Sequence, residues 1–251
     1  MKIDDAIETT TRFFNDLIGT LIPGVVLIAG LVVIHHGPIE KLDDYIPKNG
    51  EIFAVIVLVA ILFASGHGLL AVNDYAAKRI WGPVAGWIAK TWPKKTHNGS
   101  HFERRQSYVV FRAMALEKLR GCVTLDPSIT SWKDWTVNDI RSLALTISKD
   151  AADLGRRFMF ISMLCMGVGT ALLILLADYL VCLLFAPEFL HQYRFALPPQ
   201  LQTILMVALV LSFFDRAKSF RDRAMWTPFP VAIADIELKK KEKTAENEDK
   251  K

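Results

Sequence analysis

One histidine and one aspartate lie inside long apolar stretches of this sequence, His67 and Asp178. An ionisable group inside a membrane-spanning helix commonly marks a path for protons or ions, because burying its charge in lipid costs free energy. His67 lies between Gly66 and Gly68, whose small size would let another helix approach. Both ionisable residues are therefore candidates for a ligand or pore site.

Each of these two residues also has a structural interpretation. Asp178 lies about 20 residues beyond Phe158, where its apolar stretch begins, so it is expected to reach the outer interface of a bilayer beside Tyr179. His67 lies near the cytoplasmic end of its stretch, where a hydrogen-bonded interfacial histidine is a common arrangement. The sequence leaves both interpretations open.

The cysteines and the remaining histidines lack the spacing of a metal or catalytic site. Cys165 and Cys182 lie in an apolar stretch and Cys122 lies in a polar one, with no CxxC or Cys/His ligand spacing. The pair His35-His36 is interpreted as structural. The motifs GxSxG, HExxH and GxGxxG do not occur. The prediction is no metal, no cofactor and no catalytic residue, although missing motifs do not exclude an enzyme.

Apolar stretches must position the candidate residues. The chain has 251 residues, of which 52% are hydrophobic, and its mean hydropathy is +0.27, so it is more apolar than an ordinary soluble domain. A helix needs about 18 or more apolar residues to cross about 30 Å of hydrocarbon. Leu201–Phe214 is short unless Phe195–Gln200 extends it. The stretches that meet the criterion are Leu17–Ile34, Ile52–Leu70 and Phe158–Leu176. The predicted fold class is an all-α polytopic membrane protein with four transmembrane helices and a small helical cytosolic module between spans two and three.

Lysine and arginine are unevenly distributed between the segments that the four stretches separate. Their numbers are two in Met1–Asp16, two in His35–Glu51, fifteen in Ala71–Arg157, one in Ala186–Gln200 and ten in Asp215–Lys251. Basic residues concentrate in cytoplasmic segments, so the N-terminus, the long middle segment and the C-terminal tail are predicted to be cytoplasmic. The expected location is the bacterial inner membrane, with several passes.

The middle segment is long enough for a small helical domain. Glu103–Arg120 carries apolar residues on one side of a predicted helix. Thr136 and Asp139 have the spacing of a capping box, which predicts a second helix from Val137. That helix is expected to continue through Arg157 into the third span, so that one long helix would join the module to the membrane.

The predicted organisation has four parts. Residues 1–70 hold an N-terminal amphipathic segment and the first two spans, and residues 71–157 form a basic helical cytoplasmic module. Residues 158–214 hold spans three and four, and residues 215–251 form a basic juxtamembrane segment and a disordered tail. Disorder is expected in the tail because Glu237–Lys251 is charged and of low complexity.

An excess of positive charge marks the predicted cytoplasmic face. The middle segment has fifteen basic residues against eight acidic ones. Anionic lipid headgroups account for such an excess, since each base near the surface contributes about 1 kcal/mol. A cytosolic protein or a nucleotide is the alternative partner. The arginines assigned to this face are Arg104, Arg105, Arg112, Arg156, Arg157, Arg216, Arg221 and Arg223.

Small residues indicate where helices pack closely. Ala60, Ala64 and Gly68 form a row on one face of the second span, and Gly167 is a small residue of the third. In lipid, such residues let helix backbones approach one another. The pattern fits packing within one chain and formation of a homo-oligomer equally well.

The leading hypothesis is a non-catalytic inner-membrane protein whose cytosolic module senses a partner or ligand and whose spans oligomerise or perturb the membrane. Two alternatives are a small channel or transporter subunit and a membrane scaffold or assembly factor. A few spans with a cytosolic module between them resemble the plan of small membrane proteins in bacterial stress and anti-phage systems. That resemblance in architecture implies an effector function, without showing common descent.

Overall fold

The structure is a computed structural model that describes residues 3–35, 51–76, 106–115, 117, 136–186 and 198–248. All secondary structure among these residues is helical, as predicted. The helices are α1 (Ile3–Ile34), α2 (Glu51–Ala76), α3 (residues 106–115), α4 (Val137–Ile147), α5 (Lys149–Phe185), α6 (Pro199–Trp226) and α7 (Pro228–Glu248).

Three of these helices are long and apolar enough to cross a membrane. The segments are Leu17–Ile34 in α1, Ile52–Asn73 in α2 and Lys149–Phe185, which is the whole of α5. The predicted all-helical fold and the first three membrane-length segments are thereby confirmed. The predicted fourth span lies in α6, which is not among the helices that are long and apolar enough to cross a membrane.

The described residues fall into two compact units. The first unit comprises the described parts of Met1–Trp92 and Phe160–Ser219, and the second unit comprises those of Pro93–Met159 and Phe220–Lys251. This division differs from the predicted one, in which the segment after residue 215 was separate from the middle segment. Residues 220–248 instead belong to the same unit as α3 and α4.

In the first unit, α1 and α2 approach each other at two glycines. Gly66 lies against the backbone oxygen of Thr20, and Gly24 lies against the backbone oxygen of Leu62. A Cβ atom at either position would overlap the facing oxygen, so a larger residue would have to push the helices apart. The distance between these two helices therefore depends on glycine at both positions.

Helix α1 also packs against α5, and the two helices are parallel. Gly167 lies against the ring of Pro23, where an added Cβ atom would be 2.6 Å from the Pro23 Cγ atom. Farther along both helices, the side chain of Leu175 packs onto Gly30. This contact brings the end of α1 to the last third of α5.

Helix α6 runs antiparallel to α5 within the first unit. Near the beginning of α6, the hydroxyl of Tyr179 donates a hydrogen bond to the Gln202 side-chain oxygen at 3.0 Å. Fifteen residues later, the backbone oxygen of Ala217 accepts one from the Ser162 hydroxyl at 2.8 Å. These buried or partly buried bonds satisfy polar groups that would otherwise be costly in an apolar environment.

The second unit has a hydrophobic core made by α3, α4, α7 and the beginning of α5. Phe111 and Phe229 are fully buried and pack with their ring centroids 5.8 Å apart. Tyr108 and Trp226 each contact Phe229 at the edge of this core. The other buried members of the core are Ala115, Ile140, Ala144, Ala151 and Ala232.

A single buried serine separates α4 from α5. Ser148 has extended backbone angles (φ −122°, ψ 119°), and its N–H donates to the backbone oxygen of Ala144. Its hydroxyl accepts a hydrogen bond from the N–H of Ala151 at 3.2 Å. Ser148 therefore ends α4 and caps α5, so the predicted continuous helix from Val137 is wrong: the helix that enters the third span begins at Lys149.

The predicted capping box is present at the beginning of α4. Thr136 Oγ1 accepts from the Asp139 backbone N–H, and the Asp139 carboxylate accepts from the Thr136 backbone N–H at 2.8 Å. At the other end of the chain, α7 includes Glu237–Glu248, where disorder was predicted. Where this stretch begins, the pair Asp235–Lys239 has the i,i+4 spacing that stabilises a helix.

Candidate functional site

His35 and Asp178 form a hydrogen-bonded pair in the first unit. His35 follows the last residue of α1, and its backbone N–H still bonds to the Leu31 oxygen at 2.9 Å. Its Nε2 atom lies 2.6 Å from Asp178 Oδ2, which belongs to α5. The His35 side chain is 32% exposed and the Asp178 side chain is 30% exposed. The pair is therefore partly shielded and partly accessible to solvent.

Cys182 completes a cluster of three side chains whose types can serve as metal ligands. It lies one helical turn after Asp178, so both side chains project from the same face of α5. Cys182 is buried with a free thiol. The ligand atoms of His35, Asp178 and Cys182 all lie within 4.8 Å of one another. An imidazole, a carboxylate and a thiol thus converge from two helices.

Packing between α1 and α5 determines where this cluster forms. Leu175 packs onto Gly30 one turn before the cluster, which brings the end of α1 close to α5. Tyr179 is buried next to Asp178 and bonds to Gln202 of α6. The cluster therefore lies on a framework of three helices, and its two α5 ligands are fixed by the helix itself.

The two predicted ligand or pore residues are in different surroundings. Asp178 belongs to the cluster, whereas His67 is exposed on α2 and packs the edge of its ring against Phe63, with centroids 4.4 Å apart. No bond joins His67 to Asp178 in the part of the chain that the structure describes. His67 thus has the surroundings of a surface residue of the first unit.

The predicted packing residues also differ in their surroundings. Gly167 packs against Pro23, in agreement with a role in helix packing. Ala60, Ala64 and Gly68 are exposed, and nothing among the described residues lies within 4 Å of a Cβ atom built at Gly68. The close contact of α2 is made by Gly66 on another face of the helix.

The predicted basic face is described only in part, because Arg104 and Arg105 lie outside the described residues. Arg112 is partly buried in the second unit. Arg156 pairs with Asp153, one turn earlier in α5. Arg223 lies 5.6 Å from the ring centroid of Phe220, a cation–π distance. The exposed arginines are Arg156, Arg157, Arg216, Arg221 and Arg223.

Sequence reasoning did not identify His35 and Cys182 as site residues. The spacing of Asp178 and Cys182 at i,i+4 was a usable signal, because it places both ligand types on one helix face. His35 had no local signal, since 143 positions separate it from Asp178. Only the packing of α1 on α5 brings it to the cluster.

In the part of the chain that the structure describes, the fold is all-helical, with three helices of membrane-crossing length. No protein-family model, curated protein or solved structure matches it in comparisons with known proteins. Its function is therefore inferred from its own residues.

Proposed function

We propose that this chain is an inner-membrane protein of four spans, with both termini and the second unit in the cytoplasm. The fourth span is Leu201–Phe214 of α6. Exposed basic residues follow this stretch, including Arg216 and Arg221, and favour a cytoplasmic end for the helix.

Contacts between α5 and α6 support the fourth span. The bonds Tyr179–Gln202 and Ser162–Ala217 lie at opposite ends of an antiparallel helix pair. Between residues 202 and 217 a helix rises roughly 22 Å, which is most of a hydrocarbon layer roughly 30 Å thick. A helix that accompanies a membrane-crossing helix over this length is expected to lie in the same layer.

The core of the second unit supports the same topology independently. Phe111 and Ala144 precede the third span in the chain, Phe229 follows α6, and all three belong to one buried core. Residues of one core lie on the same side of a membrane. An even number of crossings between Met159 and Phe220 agrees with this, which supports the proposal that α6 returns across the membrane after α5.

We further propose a non-catalytic function, in which the second unit binds a cytosolic protein or a small ligand and alters the spans. The observation that carries this proposal is the helical connection between the units. Residues 149–159 of α5 belong to the second unit and residues 160–185 to the first, and α6 is divided likewise at residues 219 and 220. A helical connection transmits a displacement better than a flexible linker does.

A pore through a single copy has less support than this coupling function. Polar side chains of the described spans form bonds inside the first unit, such as Ser162 to Ala217 and Thr170 to Met166. Perturbation of the membrane is therefore proposed to require several copies. The exposed row on α2 formed by Ala60, Ala64 and Gly68 is a surface on which a second copy or lipid would pack.

The test is a break in one of the two helical connections. Arg157 is exposed inside α5. Proline there would remove a backbone hydrogen bond and clash with the preceding turn, at a cost of about 3 kcal/mol. Membrane potential is measured with a dye in cells that express the wild-type chain, Arg157→Pro or Arg157→Ala. The alanine variant is the matched control, because it loses the same charge and keeps the helix.

We expect the wild-type and Arg157→Ala chains to depolarise the cells and Arg157→Pro to lose most of this effect at equal levels in the membrane fraction. Equal depolarisation by Arg157→Pro would refute coupling through α5. No depolarisation by any of the three chains would refute the effector function and leave the scaffold alternative.

A further inference from the structure

We propose that His35, Asp178 and Cys182 bind one zinc ion. The three side chains supply an imidazole nitrogen, a carboxylate oxygen and a thiolate sulfur, and each is a ligand that Zn²⁺ uses in proteins. Magnesium and calcium prefer sites made of oxygen ligands. The mixed nitrogen and sulfur donors therefore select a transition metal of the zinc type.

The geometry requires only a small rearrangement to accept the ion. Zinc bonds of about 2.0–2.3 Å in a tetrahedral site place two ligand atoms roughly 3.3–3.6 Å apart. The three ligand atoms of the cluster lie within 4.8 Å of one another, while His35 Nε2 and Asp178 Oδ2 lie 2.6 Å apart. Side-chain rotation that lengthens the His35–Asp178 distance toward the tetrahedral value would make room for the ion between the three ligand atoms.

The surroundings of the cluster fit an accessible metal site. The His35 and Asp178 side chains keep about a third of their exposure, which provides a route for the ion from one side. Cys182 is buried, so its thiol is protected while it gives up its proton to solvent on binding zinc. Three protein ligands leave a fourth position for water or another ligand, as in catalytic zinc sites.

The α5 ligands are positioned before the metal binds. Asp178 and Cys182 are separated by one turn inside a helix that continues to Phe185. His35 is held close to them because Gly30 allows Leu175 to pack against α1. Zinc bound here would therefore join the end of α1 to α5, and it would do so whether or not the second unit has the function proposed above.

The experiment titrates purified full-length protein in detergent with Co²⁺, which takes the place of zinc and gives a thiolate charge-transfer absorption band when sulfur is bound. The protein is first stripped with a chelator and reduced without thiols. We expect one Co²⁺ per chain, displaced by Zn²⁺. Cys182→Ser should abolish the band, and His35→Gln and Asp178→Asn should weaken binding at least about tenfold.

Matched controls use the two other cysteines. The double variant Cys122→Ser with Cys165→Ser keeps Cys182 as its only thiol, and we expect it to give the wild-type band. If Cys182→Ser does not fold, this double variant still shows whether Cys182 is the thiol that binds the metal. Absence of the band from the wild type, its loss from the double variant, or its survival in a folded Cys182→Ser chain would each overturn the proposal and leave a hydrogen-bonded histidine–aspartate pair.

Discussion

The Nε atom of Arg141 donates a hydrogen bond to the backbone oxygen of Ala224 at 3.0 Å, across 83 positions of sequence. Arg141 belongs to α4, before the third span, and Ala224 belongs to the last turn of α6. Burial lowers the pKa of the Arg141 guanidinium from its ordinary value, and the bond compensates part of the cost of burying this side chain. The hydrogen bond therefore joins two parts of the second unit: α4, which precedes residues 160–219 of the first unit in the chain, and the end of α6, which follows them.

This relationship leads to a prediction about topology. In a chain of four spans, a reporter inserted after Ala186 lies outside the cell, whereas one fused after Lys251 lies in the cytoplasm. A chain of three spans would place both reporters outside. Two reporters are used at each position, one active only in the cytoplasm and one active only outside it. Their activities show on which side of the membrane each position lies. An external C-terminus would contradict the fourth span.

Glycine at position 66 is predicted to be essential for the packing of α1 and α2. A Cβ atom there would overlap the backbone oxygen of Thr20, so Gly66→Ala should separate the helices and cost about 1–3 kcal/mol. Gly68→Ala is the matched control, because none of the described residues lies within 4 Å of the position of its Cβ atom. Thermal unfolding in detergent measures both variants. An equal effect of the two substitutions would show that the helices do not approach at Gly66.

The core of the second unit is predicted to depend on Phe229. This side chain is fully buried and contacts Phe111 and Trp226. Phe229→Ala should destabilise the second unit by about 3–5 kcal/mol, the usual cost of deleting a buried aromatic ring. Leu238→Ala is the control in the same helix, because Leu238 is 61% exposed. Protease cleavage of the full chain under native conditions should become faster only in Phe229→Ala.

Local sequence features were sufficient to predict most helices and the first three spans. The apolar runs in α1, α2 and α5 are each long enough by themselves, and the Thr136–Asp139 box is encoded within four residues. The break at Ser148 was missed because helical periodicity continues across it. Ile140 and Ala144 of α4 and Ala151 of α5 pack into one core on both sides of the break. They would also share one face of an uninterrupted helix, so the sequence pattern carries no signal for the break.

The candidate site was less predictable than the spans, for a physical reason. Asp178 was identified because a carboxylate is unusual in an apolar run. Asp178 is expected at the outer interface and His35 is interpreted as structural, and their contact depends on how α1 packs against α5. Likewise, Gly66 and Gly68 are two positions apart on one helix, and only the neighbouring helix determines which of them makes the contact.

The capping box at the beginning of α4 is predicted to make stability depend on acid. Hydrogen bonds from the Thr136 hydroxyl and backbone lower the pKa of the Asp139 carboxyl below its ordinary value of 3.8. The folded state therefore binds this proton more weakly than the unfolded chain does. The resulting stability is present above the unfolded pKa and is lost as pH falls through the lowered folded pKa.

The Asp139→Asn variant tests this dependence. Its second unit should lose less stability than the wild type between about pH 6 and pH 3, because the titrating carboxylate is absent. Urea midpoints followed by tryptophan fluorescence at the two pH values measure the difference. Identical pH dependence in Asp139→Asn and the wild type would show that this carboxylate does not contribute.

The last prediction concerns Ser148. Its hydroxyl caps α5 by accepting from Ala151, and it also helps to lower the pKa of Asp235, where the larger cause is the Lys239 side chain. Ser148→Ala should destabilise the second unit by about 0.5–2 kcal/mol, the usual cost of losing an N-cap. Alanine also favours the helical conformation that would merge α4 with α5, which would remove core residues from their positions.

Ser142→Ala is the matched control for this substitution. Ser142 is exposed inside α4, and its hydroxyl donates to the Asn138 backbone oxygen one turn earlier, so its loss should be neutral or slightly stabilising. Urea unfolding of both variants distinguishes the loss of the helix cap at Ser148 from the general effect of replacing a serine by alanine. If Ser148→Ala unfolds at the same urea concentration as Ser142→Ala, the cap does not hold the break, and α4 and α5 can form one helix without cost to the core.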